Sequence, residues 1–119
     1  MVRNLENHEI VPWLETVVNF GEHYYPETNS FVCPVRGVYI FNTTIRNAGG
    51  YISVGLHLNS QLISFTSASD EAHYDTGSSN CLIECRAGDI VSVIVSAGGD
   101  HSHPAAAVHT FTGFLLNRL

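Results

Sequence analysis

Lysine is absent from the chain, and its basic side chains are five arginines, Arg3, Arg36, Arg46, Arg86 and Arg118, set against 11 carboxylates for a formal net charge of −6. Nucleic-acid binding draws on clustered cations that displace counterions from phosphates, so this balance argues against a nucleic-acid partner and against anionic membranes. Charge of either sign is scarce too, at 13% of residues beside 45% hydrophobic, which rules out a disordered chain. No apolar run approaches the roughly 20 residues of a membrane-spanning helix. The opening MVRNLENHEI also lacks the apolar stretch of a signal peptide. Cysteine is sparse and odd in number: Cys33, Cys81 and Cys85 allow at most one bridge within the chain and leave at least one thiol over. If residues 81–85 are extended, their ends lie roughly 13 Å apart at ~3.3 Å per residue, beyond disulfide reach. The three cysteines read as small buried hydrophobes, and a cysteine-based metal site has no support.

What is present fits a single domain. A chain of 119 residues and 13.0 kDa can bury a self-sufficient core without metal or disulfide staples. No stretch carries a helical period. Apolar residues instead alternate over short runs separated by turn residues, the habit of an all-β sandwich or barrel. In Tyr51-Ile52-Ser53-Val54-Gly55-Leu56-His57-Leu58 the residues 52, 54, 56 and 58 share one face, and Val91, Val93 and Val95 repeat the pattern after the Gly88-Asp89 turn. Further strands are predicted at about 15–20, 30–33, 37–46, 61–67, 80–86 and 108–118, with long loops over 68–78 and 98–107.

Two strands are apolar on both faces, Val38-Tyr39-Ile40-Phe41 and Thr110-Phe111-Thr112-Gly113-Phe114-Leu115-Leu116. A two-sheet sandwich covers one face of each sheet, so the second face needs another cover: self-association is the natural source, and a barrel whose ends or loops fold over that face is the alternative. Tyr39, Phe41, Phe111 and Leu115 make one candidate set for that contact or for the core; Val38, Ile40, Phe114 and Leu116 make the other. Alternation alone leaves open which set points inward.

These residues also carry a resemblance. Asn19, Tyr24, Phe31 and Gly37-Val38-Tyr39-Ile40-Phe41 fall at the spacing of the globular C1q domain, a jelly-roll module of the C1q and tumour-necrosis-factor superfamily. Phe31-Val32-Cys33-Pro34-Val35-Arg36-Gly37 is similar to its Phe-x-x-Pro-Val-x-Gly run, Gly88-Asp89-Ile90-Val91 to its Gly-Asp-x-Val, and residues 110–116 to its closing strand. The match spans residues 10–119 as one globular domain behind an N-terminal segment, 1–9. Trp13 stands where the family has Phe, and Thr43 where it has an aromatic. MVRNLENHE does not resemble the strand that normally opens the domain, so that strand is missing or altered here. No Gly-x-y repeat, and hence no collagen stalk, precedes the domain.

The resemblance implies a two-sheet jelly roll, a homotrimer with one sheet turned to the three-fold axis, and a secreted, non-enzymatic recognition module that binds glycan, microbial-surface or protein ligands through its loops. A cytokine-like ligand that engages a receptor is the second reading. It also implies calcium near the axis. Asp75 falls on one family ligand position, Asp70 and Glu71 add carboxylates to the same loop, and the earlier ligand position is taken by Ser67. Independently of the family, His101-Ser102-His103 would present two imidazoles on one side if extended, a candidate ligand-binding or transition-metal pair, with His109 a third member for a metal-dependent jelly-roll enzyme. The Glu that follows the His-x-His of cupin jelly rolls is absent, and nothing assembles for nucleophilic catalysis: there is no Gly-x-Ser-x-Gly, no phosphate cradle and no His-Glu-x-x-His. Asn42-Thr43-Thr44 is a formal glycosylation sequon on a strand expected to be covered.

Overall fold

The computed structural model describes residues 8, 10, 11, 20–48, 51–69, 74–97 and 110–119. A short 3-10 turn, Phe20–Glu22, leads into eight strands: β1 (Tyr24–Tyr25), β2 (Ser30–Val32), β3 (Gly37–Ala48), β4 (Tyr51–Leu58), β5 (Gln61–Ser69), β6 (Tyr74–Cys85), β7 (Ile90–Ala97) and β8 (Thr110–Arg118). They form two antiparallel sheets, one ordered β1-β2-β7-β4-β5 and one ordered β6-β3-β8. The two-sheet jelly roll expected from the sequence is present.

The alternation in β3 decides the core. Tyr39, Phe41 and Ile45 are fully buried between the sheets. Phe41 has Phe31 edge-on at 5.4 Å and lies parallel to Phe111 at 5.9 Å. From the facing sheet come Ile52, Val54, Leu56, Val91, Val93 and Val95, so that two apolar clusters form, with Phe111 against both. Tyr39 closes one end of the sandwich. Its hydroxyl donates to the Val35 carbonyl at 2.6 Å and accepts from the Val35 N–H at 3.2 Å, so the residue before the β3 turn is held by a buried phenol.

Two elements differ from the sequence reading. The loop placed at 68–78 shrinks, because β5 continues to Ser69 and β6 starts at Tyr74. Thr76 to Ser79 are turn-type residues, but β3 is long and pairs residue by residue with β6 from Gly37↔Cys85 to Ala48↔Tyr74, which satisfies backbone groups that would otherwise be orphaned. Tyr24–Tyr25 is a strand that the pattern did not suggest, paired to β2 across a tight turn. The strand expected at 15–20 lies outside the described residues apart from Phe20, which begins the 3-10 turn. Near the N-terminus, His8 donates its N–H to Val95 and Val11 donates to Val93, so this segment extends the β2 side of β7 and delivers Val11 to the core.

Where β5 crosses β6 the sheets touch. The hydroxyls of Thr66 and Ser79 are 2.6 Å apart, and a β-carbon on Gly77 would run into the Ser67 carbonyl oxygen. That neighbour is backbone and cannot yield. Gly77→Ala is therefore expected to cost about 1–3 kcal/mol by forcing β5 and β6 apart, while Phe41→Ala is expected to cost roughly 3–5 kcal/mol through the cavity it leaves. Urea unfolding followed by circular dichroism measures both.

Candidate functional site

The face of β6-β3-β8 that turns away from the core is the first candidate. Paired residues share a face in an antiparallel ladder, so the register lays out rows across the three strands. Leu82, Ile40 and Phe114 make one row; Asn80, Asn42 and Thr112 the next; Ser78, Thr44 and Thr110 the one beyond. Val38 lies beside the apolar row, flanked by Glu84 and Asn117, and Leu116 is the extra residue of a bulge opposite Val38 and Tyr39. Leu82 is 62% exposed, and Phe114 and Leu116 are each 56% exposed. Across these rows apolar residues give way to neutral amide and hydroxyl, with Glu84 beside Val38.

The structure also divides the eight candidate contact residues. Tyr39 and Phe41 are core, and Phe111 packs into it. Leu115 points inward at the edge of the sheet, where its δ-methyl lies against Gly37, and it keeps 38% exposure because no strand lies beyond β8 among the described residues. Val38, Ile40, Phe114 and Leu116 are the outward set.

The loop candidates are positioned less fully. Asp70, Glu71, His101, His103 and His109 lie outside the described residues. The backbone of Asp75 is on β6, opposite Asn47 on β3, rather than in a loop. Ser67 lies near it through the Gly77 approach, and it brings a hydroxyl where the resemblance expects a carboxylate. Among the described residues no three His, Cys, Asp or Glu side chains gather as a metal site. His57 is half-buried on the outside of β4, with Nδ1 3.1 Å from the Gly55 carbonyl. Among those residues, too, no helix is long and apolar enough to cross a membrane.

All three cysteines are free thiols, Cys33 and Cys85 buried and Cys81 half-buried. Burial pushes the Cys33 thiol far above its ordinary range, and it raises those of Cys85 and Cys81 as well. Burial raises Tyr39 in the same way, partly offset by its bond to Val35. A thiol held protonated is a poor nucleophile and a poor metal ligand.

Comparison with known proteins agrees with this architecture. The C1q domain model matches residues 2–116. The chain belongs to the C1q domain family. Among curated relatives, this C1q domain is 31% identical over 105 residues to mouse (Mus musculus) complement C1q tumor necrosis factor-related protein 7, covering 86% of this chain and 36% of that protein. It is 31% identical over 121 residues to the heavy metal-binding protein HIP of the mussel Mytilus edulis, covering 98% of this chain and 56% of that one. The C1q domain therefore spans between about a third and just over half of the length of these relatives. The globular domain of zebrafish complement 1qA protein superposes with a TM-score of 0.83 over 100% of this chain and 93% of that chain, at 18% identity, which shows a shared fold. The Eiger TNF of S. frugiperda superposes with a TM-score of 0.59 at 22% identity, over 77% of this chain and 65% of that chain.

Proposed function

We propose that this C1q domain is a secreted, non-enzymatic recognition module that assembles as a homotrimer through the outer face of β6-β3-β8 and binds glycan, microbial-surface or protein ligands with its loops. The observation that carries the reading is the row Leu82, Ile40 and Phe114 with its neighbours Val38 and Leu116, which leaves two side chains more than half exposed on the row itself. An apolar patch of this kind on a protein this size is an association surface. The adjoining Asn and Thr rows hold no charge that would have to be desolvated, and they offer donors and acceptors to a second copy. Three linked copies turn weak loop sites into useful avidity without any new contact.

The assembly is tested by light scattering. The expected mass is about three times the 13.0 kDa protomer, and Phe114→Asp is expected to bring it down to one protomer with the β circular-dichroism signal retained, since the side chain is 56% exposed in the single chain. A protomer mass for the unaltered chain at micromolar concentration would overturn the reading. Binding to a glycan array without a cell-surface receptor favours glycan recognition; the reverse result favours the cytokine-like reading.

Metal binding is a second proposal, favoured by similarity over 98% of the chain to a mussel protein named for binding heavy metals. Asp70, Glu71 and Asp75 are the proposed oxygen donors for calcium, and His101 with His103 the imidazole pair for a softer ion. Calorimetric titration with calcium and then zinc separates them. Asp75→Asn is expected to weaken calcium binding by tenfold or so, and His101→Ala to abolish zinc binding and leave calcium unchanged. Zinc binding is expected to fade as the solution is acidified, because an imidazole must be unprotonated to ligate a metal.

A further inference from the structure

We propose that Cys33 and Cys85 are joined by a disulfide made while the chain folds, which staples the five-stranded sheet to the three-stranded sheet and leaves Cys81 as a thiol. Cys33 directly follows β2 in one sheet, and Cys85 closes β6 in the other. The backbone brings them together. The Cys33 N–H donates to the Asp89 carbonyl at 2.9 Å, and the Cys33 carbonyl accepts from the Gly88 N–H at 2.8 Å. Gly88 and Asp89 belong to the turn that leaves Cys85, a turn closed by the Asp89 N–H on the Arg86 carbonyl at 3.1 Å and the Arg86 N–H on the Asp89 carboxylate at 2.8 Å. Residue 33 is therefore clamped on both sides to the segment that begins at residue 85.

The side chains converge as well. Each of the two is 1% exposed, and both lie in the cluster formed with Tyr39, Leu56, Ile83 and Val91, where the Cys85 thiol donates to the Ile83 carbonyl at 4.0 Å. Disulfides demand close α-carbons and converging β-carbons, and two buried thiols of one cluster held by a tight backbone clamp are placed to meet that demand. Cys81 does not. It lies opposite Phe41, four residues along the extended β6 from Cys85.

The chemistry sets the moment of closure. A thiolate of one cysteine attacks an external disulfide, from oxidised glutathione or a disulfide oxidoreductase, forming a mixed disulfide with one of its sulfurs and releasing the other as a thiolate. The second cysteine thiolate then attacks the chain's own sulfur and expels the external one. Two cysteine thiols become one disulfide, and the external disulfide takes up two electrons and two protons as two thiols. Within the folded core, burial keeps the two thiols protonated and unreactive, and once they are joined it keeps an external thiolate from reaching the disulfide. The exchange belongs to the partly folded chain, and folding then fixes whichever redox state the surroundings have set.

The test is refolding of this chain in a glutathione redox buffer, followed by iodoacetamide under denaturing conditions and peptide mapping. The expected product is two hydrogens lighter than the reduced chain, carries one alkylated cysteine, and yields a linked peptide pair containing Cys33 and Cys85. Its thermal midpoint is expected to exceed that of the reduced protein by roughly 10 °C, given the long loop closed between residues 33 and 85. Cys81→Ser is expected to keep the link and the midpoint difference, and to carry the test if Cys85→Ser does not fold. Three alkylated cysteines in the refolded protein, or a link that includes Cys81, would overturn the proposal. Loss of the bridge to reductant as fast from the folded as from the unfolded chain would overturn the folding-time step.

Discussion

A strand flanked on both sides by partners cannot choose which of its faces to show. β3 holds the centre of the three-stranded sheet, with β6 along one side and β8 along the other, so its alternate side chains must leave through the two faces. Tyr39, Phe41 and Ile45 go into the sandwich and Val38 and Ile40 go out. Burial of a large apolar side chain is worth about 1.5–3 kcal/mol, and the inward set gains it within one chain. Leu82 and Phe114, the cross-strand neighbours of the outward Ile40, leave most of that gain unrealised within the single chain. The core and the exposed apolar row are thus two consequences of one strand's alternation.

The period-two signal made the strands legible. Residues 51–58 were marked as one strand by four apolar side chains at every second position, and β4 has those bounds. The signal failed where pairing rather than burial makes the strand. Thr76-Gly77-Ser78-Ser79 is turn-like by composition, yet it lies in β6 because β3 offers it a ladder. The inward and outward sets on β3 and β8 could not be told apart from sequence, since both are apolar; the facing sheet decides that. The adjacency of Cys33 and Cys85 was equally hidden, because it depends on backbone bonds between a strand end and a turn more than fifty positions away, and spacing along one chain segment carries no such information.

Fold likeness reaches further than likeness of use. TM-scores of 0.83 to a complement 1qA globular domain and 0.59 to Eiger TNF come from the same sandwich, and a shared sandwich does not by itself fix what is bound. In this chain the sheets supply a rigid frame: hydroxyls of Thr66 and Ser79 tie one side, the Tyr39 phenol ties one end, and Asn59 knits the β4–β5 hairpin to Ile90 and Asp89.

The two described ends of the chain are held by different sheets. His8 is bonded to Val95 of β7, in the five-stranded sheet, whereas Leu119 follows β8 and donates its N–H to Arg36 just ahead of β3. A bulky fusion partner or surface tether grafted after Leu119 would start out beside the apolar rows and crowd them. The same cargo placed ahead of His8 would depart from the opposite layer, which makes that end the better handle for immobilising the molecule with its binding surfaces clear.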